Sequence, residues 1–229
     1  MKSLAFDTGP IISLATNNLL FILEPLKKKF NGNFFITDAV KRELIDKPIE
    51  TKKFKFEALQ VERLIEKNVL EVIDSGAIRN DSVKLLNLTN ETFKAYNNPL
   101  KIVHFAEMSA VAAALQQKSE AIVVDEKTTR LFIENPRLVV EILRRTLHTP
   151  ININESNLRA FRQMTSQIKV IRSIELVAVA FELGILNEYL TNIPDAKRKL
   201  LESVLWGVKL NGCAVSEQEI NQLMKIELR

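Results

Sequence analysis

Short, almost wholly apolar runs alternate along the chain with longer stretches of helical spacing. Five runs have the length and composition of strands: LAF at 4–6, FFIT at 34–37, VLEVI at 69–73, AIVV at 121–124 and IKVI at 168–171. Because most of them lack polar alternation, they predict strands buried on both faces, as in a parallel sheet. The stretches between them, such as HFAEMSAVAAALQQK, favour helices. The pattern predicts a three-layer α/β/α fold with a central parallel sheet of about five strands.

The connection between the fourth and fifth predicted strands is longer than an ordinary helical connection. Residues 131–166 supply about two helices of sequence, and we interpret them as a helical insertion. No repeat or linker divides the remainder, so residues 1–229 are predicted to form a single domain. The last third is mostly helical, and SEQE at 216–219 predicts a capping box between Ser216 and Glu219.

Composition narrows the class of protein. Apolar residues make up 46% of the chain and charged residues 26%, as in ordinary globular proteins. The single cysteine excludes an internal disulfide and a multi-cysteine metal site. No uncharged apolar run is long enough to span a membrane, and the N-terminus lacks the plan of a signal peptide. We therefore expect a cytoplasmic protein with no membrane partner.

Four acidic residues can be placed at one edge of the predicted sheet. Asp7 and Asp125 follow directly on apolar runs, at the carboxyl ends of two strands. Glu43 lies early in the helix after the second strand, and Glu107 lies near the start of the helix that leads into the fourth. Carboxylates this close repel one another unless a cation lies between them. Oxygen ligands of this kind suit Mg²⁺ or Mn²⁺.

Two other chemistries use an aspartate in such a place. Asp-Thr-Gly at 7–9 also occurs in aspartic proteases, but those need two such aspartates in an all-β fold, and a helical pattern follows here. A haloacid-dehalogenase-like phosphatase needs a second acid two residues after the first, where this chain has Gly9.

The ordered series of motifs resembles the PIN-domain superfamily of metal-dependent nucleases, especially its archaeal and bacterial, VapC-like branch. The resemblance covers roughly residues 1–130 and 166–227 and rests on FDTGPIISLA, ITDAVKREL, AEMSAVAAAL, VVDEKTTR and IKVIRSIELVAVAFELGIL. It carries over the four acids as catalytic residues: Asp7, Glu43, Glu107 and Asp125. Asp7, Glu107 and Asp125 are the implied metal ligands. Ser109 stands where the family often has a further acid.

The same resemblance implies supporting residues and an activity. The auxiliary residues are Thr8, Glu126, Arg130 and Ser173. The implied activity is that of an endoribonuclease dependent on Mg²⁺ or Mn²⁺, with RNA as its partner. Many family members are toxins paired with an antitoxin, so an antitoxin or other protein partner is also implied, although this chain is longer than the compact toxins. The alternative is a PIN fold without activity that binds RNA or protein.

Basic residues supply candidates for contact with RNA. The net charge of +4 is the remainder of 32 basic and 28 acidic side chains, so their distribution matters more than their sum. We select two basic pairs as RNA-binding candidates, which are Lys52, Lys53, Arg144 and Arg145. The insertion carries several arginines that could contact an RNA backbone. It equally carries apolar residues that could form a homodimer surface, namely Leu131, Phe132, Leu138, Val139, Ile142 and Leu143.

Overall fold

The computed structural model describes residues 2–228, which form two β-sheets and the helices packed around them. The strands of this range are β1 Ser3–Phe6, β2 Asn33–Thr37, β3 Glu71–Ile73, β4 Phe93–Ala95, β5 Asn98–Pro99, β6 Ala121–Val123, β7 Asn152–Ile153 and β8 Val170–Ile171. The α-helices are α1 Thr8–Thr16, α2 Leu23–Phe30, α3 Asp38–Lys41, α4 Lys47–Glu50, α5 Lys55–Glu66, α6 Gly76–Asn90, α7 Phe105–Gln116, α8 Lys127–Glu134, α9 Pro136–Leu147, α10 Glu155–Thr165, α11 Ser173–Glu182, α12 Ala196–Leu210 and α13 Glu217–Glu227. A π-helical segment, Arg42–Asp46, joins α3 to α4, and 3₁₀ turns form at Leu20–Ile22 and Asn187–Tyr189.

The main sheet confirms the predicted α/β class. Its strands lie in the order β3-β2-β1-β6-β8, and all of its pairings are parallel. The five predicted strands are therefore present, each within or close to its predicted run. Phe6, Ile36 and Val123 have no exposed surface, which explains why these strands lack polar alternation. The carboxyl ends of β1, β2 and β6 lie side by side at one edge.

Helix α7 packs close to this sheet because its side chains are small. Ala110, Ala112 and Ala113 are buried, and the helix contacts β1, β2 and β6 on one side and α6 on another. Close approach places the N-terminus of α7, with Glu107, near the carboxyl edge of the sheet. Nowhere in the described range is a helix both long and apolar enough to cross a membrane.

A second sheet, which the sequence pattern did not indicate, anchors the segment 131–166. Strands β5, β4 and β7 pair antiparallel, and β7 lies within this segment. The ring of Phe132 packs between those of Phe93 and Phe161, with centroid separations of 5.6 and 4.6 Å. That residues 131–166 are an insertion stays a prediction.

The apolar residues proposed for a homodimer surface are mostly part of the core. Leu131, Phe132 and Val139 are buried, and Ile142 and Leu143 pack against the core cluster. Leu138 is the exposed member, with 39% of its surface accessible. The interpretation of these residues as a dimer surface was therefore wrong for the buried ones, because their partners lie in distant parts of the sequence.

Arg172 links the end of the main sheet to the last helix. Its guanidinium donates to Glu175 and to Glu219 at 2.6 and 2.8 Å, and to the carbonyl oxygen of Ala214 at 3.1 Å. Glu219 also accepts hydrogen bonds from Ser216, which confirms the predicted capping box. The C-terminal helix is thus attached to β8 through one partly buried cation.

We expect acid to weaken this attachment. Burial opposes ionisation of Glu219, but hydrogen bonds from Ser216 and the charge of Arg172 outweigh it and lower the pKa of Glu219 to about 2. A carboxyl with a lowered pKa in the folded state stabilises above its ordinary pKa, and that stability is lost as the pH falls toward 2. Urea unfolding between pH 7 and 2 should show that Glu219→Gln is less stable than wild type at pH 7 and that the difference disappears in acid. A difference that is independent of pH would contradict the assignment.

Candidate active site

Asp7 occupies the tip of β1 and, like Asp125, is almost completely buried. Its backbone N–H donates to the carbonyl oxygen of Val123 at 3.0 Å, which fixes it beside β6. Its side chain is 3% exposed, and its Oδ1 atom is buried without a hydrogen-bond partner. Burial, followed by repulsion from Glu107 and Glu43, raises the pKa of Asp7 to about 7, although the N–H groups of Thr8 and Gly9 act in the opposite direction. An ionised Asp7 is therefore poorly compensated by the protein alone.

Glu107 faces the same site from the first turn of α7. Its Oε2 atom accepts the backbone N–H of His104 and the hydroxyl of Thr129, each at 3.0 Å. Burial raises the pKa of Glu107, and these two hydrogen bonds partly offset the effect. Because both bonds reach the same oxygen, they fix the orientation of the carboxylate.

Glu43 approaches from the π-helical segment that follows α3. Its Oε2 atom accepts the hydroxyl of Thr8 at 2.9 Å. Single π-helical turns occur mostly as local bulges at functional sites, and this one carries the acid at the position that the sequence predicted. The bond confirms contact between Thr8 and the acidic cluster, and it joins α1 to the segment after β2.

The Asp125 side chain lies next to Gly9, and both of its carboxylate oxygens already accept hydrogen bonds. Its Oδ1 accepts the backbone N–H of Ser173, and its Oδ2 accepts the hydroxyls of Ser13 and Ser173, all at 2.7 Å. A Cβ placed on Gly9 would lie 3.5 Å from Asp125 Cβ and 3.9 Å from Asp7 Oδ2. Asp125 therefore neighbours Asp7 across a glycine, but its oxygens bind the ends of α1 and α11.

The structure thus brings three of the four predicted acids into electrostatic contact. Asp7, Glu107 and Glu43 interact, whereas Asp125 faces two serines. Among residues 2–228, no three Asp, Glu, His or Cys side chains are grouped closely enough to hold a metal ion as they stand. A cation at Asp7 would require the neighbouring carboxylates to move toward it.

The remaining predicted auxiliary residues have mainly local partners. Glu126 caps α8 by accepting the backbone N–H of Thr129 at 2.6 Å. Arg130 pairs with Glu134 at 3.1 Å, and its Nε atom is buried without a partner. Ser173 contacts Asp125, as described above. None of these contacts reaches Asp7.

The predicted RNA-binding residues are exposed but lie on separate elements. Lys52 and Lys53 lie in the loop between α4 and α5, and the neighbouring Phe54 shares a shallow pocket with Glu43. Arg144 and Arg145 lie in the last turn of α9, where Arg144 donates to the carbonyl oxygen of Ile151. Phe54 lines that pocket, but Lys52 and Lys53 do not.

Sequence reasoning missed two residues that shape the site, Thr129 and Ser13. Thr129 orients Glu107, and Ser13 holds Asp125, although both could have been noticed as hydroxyls within two turns of a predicted acid. Ser109, which stands where the family often has an acid, is buried and contacts the hydroxyl of Thr37 at 2.6 Å. That position therefore ties α7 to β2. Cys213, beside Asp125, has a pKa raised to about 12 by burial and by that carboxylate, so it is an unreactive buried thiol.

A comparison with family models agrees with the motif series. The model DUF3368, described as a PIN domain, matches residues 3–141, which is more than half of the chain. The matched range contains Asp7, Glu43, Glu107 and Asp125. No curated protein and no solved structure matches the chain.

Proposed function

The chain belongs to the PIN-domain family, and on that premise we propose that it is an endoribonuclease that hydrolyses RNA phosphodiester bonds with Mg²⁺ or Mn²⁺. Proteins of this family are generally nucleases and typically use divalent metal ions. RNA as the substrate, the identity of the ion and the residues that bind it are parts of the proposal.

The observation that carries the proposal is the orphaned oxygen of Asp7. A buried carboxylate oxygen without a partner is costly, and here two further acids add repulsion. A divalent cation would compensate both effects, and the available donors are carboxylate oxygens, which Mg²⁺ and Mn²⁺ prefer. The residues present therefore fit such an ion in chemistry, even though their spacing is wider than in a preformed site.

The chain's own residues would each have a defined task in the reaction. Asp7 and Glu107 would hold the cation, and Thr129 and the N–H of His104 keep Glu107 in one orientation. Thr8 donates to Glu43, and in this proposal Glu43 would accept a proton from an attacking water. When bound, the cation would lower the pKa of that water and neutralise charge on the phosphodiester.

Asp125 supports the site in a different way. Its three hydrogen bonds hold α1 and α11 against the end of β6, and its carbonyl oxygen accepts the N–H of Ala214 at 3.0 Å. We therefore propose that Asp125 acts as a positioning residue for the Asp7 strand tip, in place of the ligand role that the family resemblance implied.

A second candidate is a PIN fold that binds RNA or protein without cleaving it. Two observations favour it, namely the engaged oxygens of Asp125 and the serine at position 109. The first candidate accounts better for the burial of Asp7 beside Glu107, since a binding module gains nothing from that repulsion.

Cleavage of a mixed pool of RNA separates the two candidates. We expect cleavage by the wild-type protein in Mn²⁺ or Mg²⁺, none in EDTA, and a loss of more than about a hundredfold in Glu107→Gln, since even outer-shell partners of a bound metal are worth 10–100-fold. Glu202→Gln is a matched control, because Glu202 is exposed on α12. Binding of RNA without cleavage in any of these ions would favour the second candidate, and equal cleavage by Glu107→Gln would indicate a contaminating nuclease.

A further inference from the structure

A cavity of about 550 Å³ opens beside the acidic cluster, and the reaction proposed above does not use it. Its walls come from the segment after β2, from α6 and from the start of α7. Glu43 lies on its border, and Phe105 and Ala106, which line it, directly precede Glu107. The cavity therefore adjoins the acidic cluster at Glu43.

Two guanidinium groups are held at its rim. Arg42 pairs with Asp38 at 2.9 Å, and the Nε of Arg79 donates to Asp74 at 3.0 Å. The side chains of both arginines are 63% exposed. Each carboxylate takes only part of the donor capacity of its arginine, and it limits the motion of the side chain. The remaining N–H donors are oriented and free to bind phosphate oxygens.

An exposed aromatic ring also lines the cavity. Phe105 is 40% exposed in the first turn of α7, and Val83, 49% exposed, lies on α6. Exposed rings are the usual stacking surface for unpaired bases, which splay out of single strands but not out of duplexes. Phe105 and Glu43 line the same cavity, so a base stacked on this ring would lie near the acidic cluster.

The floor of the cavity carries no charge. Ser109 and Thr37 line it and bond to each other, and the hydroxyl of Ser109 also donates to the carbonyl oxygen of Ala106 at 2.8 Å. An acid at position 109 would put a negative charge below an entering phosphate. Asp38, Asp74 and Glu43 already line this cavity, and the serine adds no further negative charge to oppose the arginines.

From this geometry we infer that the cavity binds one nucleotide of single-stranded RNA next to the scissile phosphate. Its base stacks on Phe105, and its phosphate binds Arg79 and Arg42. The inference rests on the proposed function, because it takes the acidic cluster as the point of cleavage. It makes Phe105 a residue that selects unpaired substrate.

The test uses a single-stranded RNA of roughly ten nucleotides with phosphorothioate linkages, which resist hydrolysis, and with 2-aminopurine at each position in turn. When each probe is titrated with protein in Mn²⁺, stacking should quench the 2-aminopurine fluorescence for one labelled position. Phe105→Leu should abolish that quenching and weaken binding about tenfold, whereas Phe105→Tyr keeps an aromatic face and should behave like wild type. Tyr96→Leu is the control, because Tyr96 is an 80% exposed ring that does not line the cavity.

The outcomes distinguish this inference from the proposed function. The subsite is wrong if Phe105→Leu binds and quenches like wild type, if the matching duplex binds more tightly than the single strand, or if wild type does not bind the probe. Cleavage of an unmodified RNA is measured in parallel. Cleavage with an unaffected Phe105→Leu would overturn the subsite alone, whereas absent cleavage together with a Phe105-dependent quench would overturn the proposed nuclease and leave the nucleotide site in place.

Discussion

Asp7→Asn should remove RNA cleavage and at the same time make the metal-free protein more stable. The amide keeps the shape of the side chain but carries no charge, so it cannot replace a carboxylate as a metal ligand. We expect the cleavage rate to fall by more than about a hundredfold. Opposite effects on activity and stability are expected only where a charge is retained for function at a cost to the fold.

The stability effect follows from the direction of the pKa shift. The folded protein raises the pKa of Asp7 from 3.8 to about 7, so ionisation of this group weakens the fold as the pH rises between these values. At pH 8 in EDTA, Asp7→Asn should increase the free energy of unfolding by about 2–4 kcal/mol. Chemical denaturation of the wild type and the variant measures this difference in the free energy of unfolding. The account fails if the variant is less stable than wild type, and Glu202→Gln provides the matched surface control.

Asp125→Ala should have the opposite effect on stability. Removing the carboxylate leaves the N–H of Ser173 and the hydroxyls of Ser13 and Ser173 without their acceptor in a buried place. We expect a loss of about 3 kcal/mol, the usual size when a buried, charged hydrogen-bond network is broken. Denaturation of the variant against wild type in EDTA measures the loss.

A milder variant tests one hydrogen bond of the Asp125 network by itself. Ser13→Ala removes one hydroxyl and leaves the carboxylate bonded to Ser173, so a loss of about 1 kcal/mol is expected. If Asp125 positions the strand tip and does not bind the metal, the folded Asp125→Ala protein keeps a Mn²⁺-induced rise in Tm. Stability equal to wild type, or a complete loss of the Mn²⁺ effect in a folded variant, would contradict the positioning role.

The main sheet could be predicted because its strands carry their own signal. Strands β1, β2 and β6 are buried on both faces, so each appears in the sequence as an apolar run bounded by polar residues. The acids that follow β1 and β6 are visible for the same reason. By contrast, β4, β5 and β7 read FKA, NP and NI, and a polar residue or proline in each prevents an uninterrupted apolar run.

What the sequence could not provide is the partner of each side chain. Asp125 and Ser13 are separated by 112 residues, and no local pattern shows that the acid faces a serine and not Asp7. The same limit left Phe132 open as a candidate for a dimer surface, because its partners Phe93 and Phe161 belong to other segments of the chain. Burial and hydrogen-bond direction are long-range properties, and they decide what an acid at a strand tip can do.

The site also shows how one fold position can change its role. In the motif that α7 resembles, a second acid often follows Glu107, whereas Ser109 here bonds Thr37 and leaves the cavity floor neutral. In our proposal, the serine at this position leaves the metal chemistry to Asp7, Glu107 and Glu43, and it would allow a phosphate to enter the neighbouring cavity.

The most direct test of the central claim is anomalous diffraction from crystals soaked in Mn²⁺. The account predicts a peak beside Asp7 Oδ1, with Glu107 turned toward it, and no peak in crystals of Asp7→Asn soaked in the same way. The absence of a peak at Asp7 in wild-type crystals that bind Mn²⁺ elsewhere would contradict the claim that these acids form a metal centre.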